Sequence, residues 1–278
     1  MATSAQSYVH GASSAPLIGD TIGEHLDRVV ARWPDHDALI VGHQKVRWSY
    51  GDLAREAADF AAGLLALGLE PGDRIGIWSP NNAEWVVTQF ATAKAGLVLV
   101  NINPAYRVTE LDYALNKVGC KALVTARRFK SSDYLAMLAE LGRARLPRLE
   151  TIIRIGDGDG PGTIPFAEVA TRATATHRSE LARIGARLQF DDAINIQFTS
   201  GTTGAPKGVM LTHDNVCLHA LGAMAELGLA DTDSWAHIAP MFHLADAWAT
   251  FAITWSGGRH VVLPQFDADA ALELIAAE

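Results

Sequence analysis

A short segment rich in glycine and hydroxyl side chains contains the residues best suited to chemistry. Its two glycines let backbone N–H groups approach an anion without a Cβ atom in the way. Its hydroxyl groups can donate hydrogen bonds, and its lysine adds a mobile positive charge. The segment therefore predicts a loop that binds phosphate, formed by Thr199, Ser200, Gly201, Thr202, Thr203, Gly204 and Lys207.

The spacing within this loop differs from that of the common P-loop. A P-loop reads G-x-x-x-x-G-K-[ST] and opens a helix. Five residues after Gly201 the chain has Pro206, and Lys207 is followed by Gly208 instead of Ser or Thr. An ordinary kinase or ATPase loop is therefore excluded. From the residues alone, a surface hairpin without a ligand stays open as the alternative, because such sequences also serve as turns.

Residues 199–208, TSGTTGAPKG, resemble the signature loop of the adenylate-forming enzymes. That superfamily includes acyl-CoA synthetases, aryl-CoA ligases, luciferases and the adenylation domains of peptide synthetases. Residues 48–53, 94–106 and 237–243 resemble three further landmarks of the family, in the expected order. The resemblance extends from about Leu17 onward and is strongest to medium- and long-chain acyl-CoA synthetases.

The resemblance implies a reaction in which a carboxylate attacks the α-phosphorus of ATP and pyrophosphate leaves. The acyl-adenylate then passes its acyl group to the thiol of coenzyme A. The matching loop grips the β- and γ-phosphates of ATP and stabilises the charge that develops on the leaving group. Mg²⁺ assists, held in the family partly by a downstream Glu, and the resemblance implies a contribution from Thr199.

His243, in the segment Pro-Met-Phe-His, is the predicted catalytic residue. In the acyl- and aryl-CoA branch, the matching residue lies near the reacting carboxylate. From the residues alone, a buried structural histidine after a strand is the alternative. Amino-acid-activating relatives have Phe-Asp at this step, whereas Phe242 here precedes His243. An amino-acid substrate is therefore not expected, and Asp246 is out of register for that role.

Two other sets of residues partly match the patterns of metal-binding sites. Residues 157–168 place Asp157, Asp159 and Glu168 at calcium-ligand positions of an EF-hand loop, but Pro161 occupies another such position and a strand-like run precedes. Five histidines between His213 and His260 lack the spacing of zinc ligands. The basic segment 127–130 could reach the phosphates of coenzyme A, although a solvated helix start is the simpler interpretation.

The composition bounds the class of protein. The 278 residues are 49% hydrophobic and 19% charged, which is typical of a folded domain. The net charge of −8 argues against a nucleic-acid partner. Two distant cysteines imply no disulfide framework, and the first residues do not resemble a secretory signal. These observations predict a cytoplasmic protein without an integral membrane segment.

The predicted strands and helices, which must position the loop, alternate along the chain. Period-2 apolar runs predict strands, and amphipathic segments of ten or more residues between them predict helices, so we expect doubly wound, mostly parallel α/β sheets with flanking helices. The predicted strands are 38–41, 45–48, 74–78, 97–101, 122–125, 151–155, 194–198, 209–211, 234–239 and 260–263. The predicted helices are 21–33, 50–67, 83–95, 109–118, 131–141, 215–227, 245–254 and 268–277.

The predicted organisation is that of part of a large N-terminal domain. Residues 1–16 are expected to form a flexible tail, residues 17–190 a first α/β subdomain, and residues 191–278 the start of a second that contains the phosphate loop. The family's Tyr-Gly-x-Thr-Glu element, ribose-binding Asp and C-terminal domain with its catalytic Lys do not occur. We therefore expect a truncated acyl-CoA synthetase that is inactive alone.

Three functional alternatives stay open at this stage. The expected activity is ATP-dependent formation of an acyl-CoA from a small carboxylic acid, most simply a fatty acid. A non-catalytic nucleotide-binding or regulatory module is the second reading of the same loop. Transfer of the acyl group to a carrier protein, or a luciferase-like oxidation, is the third. The sequence does not determine the chain length of the acid or whether the protein forms a homodimer.

Overall fold

The computed structural model describes residues 18–199 and 204–278, which form strands and helices in alternation. The strands are β1 (Asp37–Val41), β2 (Val46–Ser49), β3 (Arg74–Trp78), β4 (Val98–Asn101), β5 (Ala122–Thr125), β6 (Arg128–Phe129), β7 (Ser132–Asp133), β8 (Thr151–Arg154), β9 (Ile164–Pro165), β10 (Ala193–Phe198), β11 (Gly208–Thr212), β12 (Ser234–His237) and β13 (Arg259–Val262). The helices are α1 (Ile22–Arg32), α2 (Tyr50–Ala66), α3 (Ala83–Lys94), α4 (Val108–Val118), α5 (Tyr134–Arg145), α6 (Phe166–Val169), α7 (Ala175–Gly185), α8 (His213–Leu227), α9 (Leu244–Ser256) and α10 (Ala268–Ala277).

Two mostly parallel sheets organise these elements. The larger sheet has the order β11-β10-β4-β3-β5-β8-β9, and every neighbouring pair in it is parallel except β10 with β11. The second sheet has the order β12-β13-β1-β2, with β1 and β2 as its antiparallel pair. The prediction of mostly parallel α/β sheets with flanking helices is confirmed.

The sheets do not follow the predicted subdomain boundary between residues 190 and 191. Strands β10 and β11 lie after that boundary, yet β10 pairs with β4 in the larger sheet. Likewise β13, near the end of the chain, pairs with β1 near its start. Each sheet therefore contains strands from both sides of the boundary, because hydrogen bonding between strands depends on spatial neighbours and not on sequence order.

Local capping signals set several helix boundaries as the sequence indicates. Ser49 caps α2, and its side chain and that of Asp52 exchange hydrogen bonds with each other's backbone N–H groups. The helix ends at Ala66 with Leu67 as its C-cap, and Gly68 takes a φ of +84°, a conformation that glycine adopts without a Cβ clash. Thr212 caps α8 in the same way through Asn215.

Several helices differ from their predicted description, and the four-residue helix α6 was not predicted. Helix α5 begins at Tyr134, three residues later than predicted, because residues 128–133 first form the tight hairpin of β6 and β7. Helix α7 was not predicted at all. Ile184 is its one buried residue and Leu181 is half-buried, so its apolar stripe is too narrow to reveal a helix.

The larger sheet is buried on both faces. Along β4, Val98 and Val100 belong to a hydrophobic cluster on one face, and Leu99 belongs to a cluster on the opposite face that includes Phe90 and Phe251. This burial explains the continuous apolar character of the central strands. Within the described ranges, the structure has no helix with both the length and the apolarity needed to cross a bilayer.

Candidate active site

The predicted phosphate loop connects β10 to β11 at one edge of the larger sheet. The two strands pair antiparallel up to Phe198 and Gly208, which lie opposite each other. Beyond them, the Thr199 N–H donates to the carbonyl oxygen of Lys207 at 2.9 Å. The Lys207 N–H in turn donates to Thr199 Oγ1 at 3.1 Å. This reciprocal pair closes the base of the loop and brings Thr199 and Lys207 together.

The described part of the loop leaves its predicted donors accessible. Ser200, Gly201, Thr202 and Thr203 lie outside the described residues, so their predicted phosphate contacts stay predictions. Gly204 is exposed, and no atom of the described residues lies within 4 Å of the position that a Cβ would take. Lys207 is also exposed. Its ammonium group is therefore free to meet an anion from solvent.

Helix α4 fixes the part of the loop that leads into β11. Tyr113 donates its hydroxyl hydrogen to the carbonyl oxygen of Pro206 at 2.8 Å. At Gly208 a Cβ would lie 3.0 Å from Ile196 Cγ2 and 3.4 Å from Val118 Cγ1, so a larger residue would push β11 away from its neighbours. The loop base is thus fixed to the sheet through β10, β11 and α4.

His243 is the N-cap residue of α9. Its Nδ1 accepts a hydrogen bond from the Ala245 N–H at 3.1 Å, which satisfies one of the free donors of the first helical turn. An Nδ1 that accepts leaves the proton on Nε2 of the neutral ring. Since the side chain is exposed, Nε2–H is available to donate to a ligand oxygen.

Asn81, which the sequence analysis did not single out, fixes the segment that leads to His243. Its Nδ2 donates to the carbonyl oxygens of His237 and Ala239 at 3.2 and 2.8 Å, and its Oδ1 accepts from the Met241 N–H at 2.8 Å. The side chain is only 4% exposed. The available signal was the polar run that follows β3, since residues after parallel strands point to the ligand-binding edge of a sheet.

A cavity of about 360 Å³ joins the two predicted parts of the site. Thr199 at the loop base and His243 at the start of α9 both line it, together with Asn103, Tyr106 and Phe242. Lys207 is not among the residues that line this cavity. The fold therefore brings the predicted catalytic histidine and Thr199 to the same cavity.

Behind the first turn of α9 lies a buried chain of hydrogen-bonded side chains. His237 Nδ1 is 2.7 Å from Asp246 Oδ2, and His237 Nε2 is 2.9 Å from His260 Nδ1. His260 Nε2 is 2.9 Å from Thr254 Oγ1, and Asp246 Oδ1 accepts from Trp235 Nε1 at 3.1 Å. His237, His260, Asp246 and Thr254 are each at most 2% exposed.

The directions of donation in this chain fix its protonation. Thr254 donates its only hydroxyl hydrogen to the Thr250 carbonyl oxygen, so it accepts from His260 Nε2–H. His260 Nδ1 then accepts from His237 Nε2–H. Burial, and then the neighbouring His237, lower the pKa of His260 well below its ordinary value, in agreement with a neutral ring. His237 thus donates from Nε2, and its Nδ1 forms a hydrogen bond with Asp246 Oδ2.

The residues around Thr199 fit Mg²⁺ only as part of a larger ligand set. Mg²⁺ prefers six oxygen ligands and usually takes one or two carboxylates together with substrate phosphates and waters. Thr199 offers one hydroxyl oxygen, which already accepts from Lys207. Among the described residues that line the cavity there is no Asp or Glu. The phosphate oxygens of a nucleotide would have to supply most of the coordination.

Comparison with known proteins identifies the class to which this fold and loop belong. The sequence profile of the family described as "AMP-binding enzyme" matches residues 26–278. The chain belongs to this family, and the predicted resemblance to adenylate-forming enzymes is confirmed.

Individual relatives are acyl-CoA ligases by name. The chain is 37% identical over 290 residues to the mitochondrial medium-chain acyl-CoA ligase ACSF2 of Danio rerio, and 39% identical over 291 residues to that of Homo sapiens. Each match covers 98% of this chain and 47% of the relative. It is also 33% identical to the putative acyl-CoA synthetase YngI of Bacillus subtilis, over 95% of this chain and 50% of that protein. The chain thus spans about half the length of these relatives.

Solved structures support the same fold. The anthranilate CoA ligase AuaEII, crystallised with anthranoyl-AMP, superposes with a TM-score of 0.83 at 25% identity, covering 96% of this chain and 49% of that one. A fatty acyl CoA synthetase of Mycobacterium tuberculosis superposes with a TM-score of 0.79 at 25% identity, covering 92% of this chain and 47% of that one. Both sheets described above are therefore part of a known ligase architecture.

Proposed function

We propose that the protein takes part in the ATP-dependent activation of a carboxylic acid to an acyl-adenylate, followed by transfer of the acyl group to coenzyme A. Family membership supports this reaction class. The observation that carries the proposal for this chain is the cavity shared by Thr199 and His243, because it places the end of the phosphate loop beside an accessible imidazole. The acid, ATP and coenzyme A are the proposed substrates.

The proposed chemistry assigns a separate task to each part of the site. A carboxylate oxygen of the acid forms a bond to the α-phosphorus of ATP while the bond to the pyrophosphate oxygen breaks. Lys207 and the loop donors, Ser200 to Gly204, hold the leaving pyrophosphate and stabilise its added charge. His243 Nε2–H donates to an oxygen at the reacting centre. Thr199 positions the loop and adds one hydroxyl oxygen near Mg²⁺, which offsets phosphate charge.

The second half-reaction consumes the adenylate. The thiol of coenzyme A releases its proton to water, its sulfur forms a bond to the acyl carbonyl carbon, the bond to the AMP oxygen breaks, and AMP leaves. No described residue is assigned as the base that deprotonates the thiol. The acid is proposed to be a fatty acid, in line with the printed names of the ACSF2 relatives, while the solved anthranilate ligase makes an aromatic acid the main competitor.

ATP–pyrophosphate exchange with Mg²⁺ and a panel of carboxylic acids tests the first step. We expect exchange by a longer form with the relatives' full length, and no acyl-CoA formation by the 278-residue chain alone. Lys207→Ala should lower exchange by at least tenfold, since a charge-assisted contact to the leaving group is lost. Lys117→Ala, on the exposed side of α4, is the matched control and should leave exchange unchanged.

Each outcome separates the candidates. Exchange by the longer form with a fatty acid supports the acyl ligase, and exchange followed by loading of a carrier protein instead of coenzyme A would change only the acceptor. Absence of exchange in both forms would remove the enzyme and leave a nucleotide-binding module. Acyl-CoA formation by the 278-residue chain would contradict its proposed inactivity.

Compartment and assembly belong to the same proposal. We place the protein in the cytoplasm, supported by Cys120 and Cys217, which are buried free thiols. The ACSF2 relatives have "mitochondrial" in their names, so detection of this protein in an organelle fraction would contradict the placement. A homodimer is likewise a proposal, and analytical ultracentrifugation tests it.

A further inference from the structure

The segment between β12 and α9, residues 238–242, leads from the second sheet to His243 and has no regular secondary structure. Two local backbone hydrogen bonds shape it. The Ile238 N–H donates to the Ala236 carbonyl oxygen at 2.9 Å, and the His243 N–H donates to that of Pro240 at 3.1 Å. Both bonds close tight turns, so neither ties the segment to another part of the protein. A catalytic side chain at the end of this segment needs a further restraint, because a displacement of about 1 Å can cost ~100-fold in rate.

The side chain of Asn81 provides this restraint from the larger sheet. Asn81 lies in the turn between β3 and α3, and its carboxamide binds three backbone groups at alternate positions of the other chain segment. Its Nδ2 donates to the carbonyl oxygens of His237 and Ala239, and its Oδ1 accepts from the Met241 N–H. No other side chain of the described residues forms a hydrogen bond with residues 238–242. The position of this segment therefore depends on Asn81.

The chemistry of the contact requires a carboxamide. An Asn side chain has two hydrogens on Nδ2 and an acceptor at Oδ1, and Asn81 uses both hydrogens and the oxygen. An ionised aspartate has no donor, and a serine has one. Asn81 is 4% exposed and is not among the residues that line the cavity with His243. It can therefore act on the reaction only through the backbone that it holds.

Asn81 is itself held in a fixed turn. The next residue, Asn82, is the N-cap of α3, and its Oδ1 accepts from the Trp85 N–H at 2.8 Å. Its Nδ2 donates to Ser79 Oγ at 2.6 Å, which closes the turn on the other side of Asn81. The carboxamide of Asn81 is thus presented from a rigid part of the larger sheet.

The restraint reaches His243 over a short distance along the chain. Met241, which donates its N–H to Asn81, is 1% exposed and belongs to the hydrophobic cluster that includes Phe251 of α9. Its backbone and its side chain are therefore both fixed. The turn from Pro240 to His243 follows directly, and His243 then caps α9.

We propose that Asn81 is a positioning residue for the reaction, which places the imidazole of His243 at the reacting centre by binding residues 237, 239 and 241. This inference rests on the proposed function, since the task of His243 is part of it. A purely structural asparagine would stabilise the fold without a specific effect on His243. The two roles therefore differ in measurable ways.

Nitrogen-15 NMR of the 278-residue chain without ATP tests the placement apart from any reaction. The shifts of the two ring nitrogens distinguish the one that carries hydrogen from the one that accepts. In the unsubstituted chain we expect a single Nε2–H tautomer of His243, since Nδ1 accepts from the Ala245 N–H. In Asn81→Ala we expect the two shifts to move toward each other, because the freed segment lets the ring leave the cap and exchange tautomers. Loss of the signals in His243→Asn assigns them.

Asn82→Ala is the matched control. Asn82 is 5% exposed, and the two hydrogen bonds of its side chain stay within residues 79–85. We expect both alanine variants to shift the midpoint of urea denaturation to lower concentrations. Only Asn81→Ala should change the ring signals of His243.

Pyrophosphate exchange by the longer form tests the effect on the reaction. Asn81→Ala should lower kcat at least about tenfold, with the KM for ATP changed by less than about threefold, because Asn81 acts on geometry and does not line the cavity. Asn82→Ala should lower kcat by less than about threefold. Combined with His243→Asn, Asn81→Ala should add less than about threefold, because a positioning residue loses its effect when the residue that it positions is replaced.

The outcomes separate this inference from the proposed function. If Asn81→Ala does not fold, Asn81→Ser, which keeps one donor, takes its place in both tests. Unchanged His243 signals in the folded Asn81 variant, equal changes of these signals in Asn82→Ala, or a fully additive loss in the double variant would each overturn the proposal. Absence of exchange in the unsubstituted longer form would contradict the proposed function, and the NMR result would still decide whether Asn81 positions His243.

Discussion

Two groups of histidines lie within 24 residues of one another and occupy opposite environments. His243 is exposed, caps α9 and lines a cavity. His237 and His260 are fully buried and hydrogen-bonded to each other, and His237 also contacts Asp246. The difference teaches that a buried, satisfied histidine and an accessible one can look alike in sequence. A buried structural role, which the residues alone left open for His243, belongs instead to His237 and His260.

At the start of helix α9, the residues expected to affect stability differ from the residue expected to affect activity. Asp246 lies in the first turn of α9, three residues after His243. Its carboxylate is turned inward and accepts hydrogen bonds from the interior, whereas His243 retains a free nitrogen toward the cavity. The buried chain therefore anchors the helix that presents His243. Variants of the buried residues should change the free energy of unfolding, and variants of His243 should mainly change activity.

The largest effect is expected for Asp246→Ala. The substitution leaves His237 Nδ1 and the Trp235 N–H without their buried hydrogen-bond partner, so we expect a loss of about 3–5 kcal/mol in the free energy of unfolding. Urea denaturation followed by circular dichroism measures it. Asp269→Ala, at an exposed position in α10, should change stability by less than about 0.5 kcal/mol. Equal effects of the two variants would break the comparison.

A fall of one pH unit should have the next largest effect on stability, because it acts on the buried histidines. Burial lowers the pKa of His213 to about 4, and that of His260 also lies below its ordinary value of 6.5. As pH falls below 6.5 the unfolded chain binds protons that the folded chain does not. Stability is therefore present above pH 6.5 and is lost as pH falls toward 4, by about 1.4 kcal/mol per pH unit for each histidine.

A variant isolates one of these contributions. His213 Nδ1 accepts from the Ile22 N–H at 3.1 Å, and asparagine can replace that acceptor without titrating. His213→Asn should therefore reduce the slope of unfolding free energy against pH between 6 and 5 by about 1.4 kcal/mol per unit. His36→Asn, at an exposed position, serves as the control. An unchanged slope in His213→Asn would contradict a neutral, buried His213.

For His243 we expect a small change in stability and a large one in exchange activity. His243→Ala removes an N-cap acceptor and should cost about 1 kcal/mol in unfolding free energy. His243→Asn restores a cap but not an imidazole, so it should recover stability while pyrophosphate exchange by the longer form stays at least tenfold reduced. Full recovery of exchange in His243→Asn would assign the residue to capping alone.

The smallest effect is expected from chemical modification of the buried pair. Diethyl pyrocarbonate reacts with neutral, accessible imidazoles, so the peptide that contains His243 should gain mass rapidly in the native protein. His237 and His260 should gain none until the protein is unfolded, because their side chains have no exposed surface. Peptide mass mapping measures both. Modification of His237 or His260 at the rate of His243 would show that the buried chain opens freely.

The sequence by itself determined most of the helices and strands and the position of the predicted phosphate loop. These features depend on neighbours within a few residues, such as the Ser49 and Asp52 cap or the alternation of Ile194, Ile196 and Phe198. The loop residues were recognisable because their types and spacing are local as well. Helix α7 was not predicted because its sequence has too narrow an apolar stripe to indicate a helix. Its stability depends on packing against α2 and α3, which a local pattern does not show.

Only the tertiary structure decided which polar residues face inward. Asn195 and Gln197 alternate with the apolar residues of β10, and that alternation is compatible with an outer face in water as well as with an inner cavity. The choice depends on α8 and α9, which cover that face from far along the chain. The buried contact of His237 with His260 likewise joins residues 23 apart. Burial is a property of the whole packed chain, and a local pattern does not contain it.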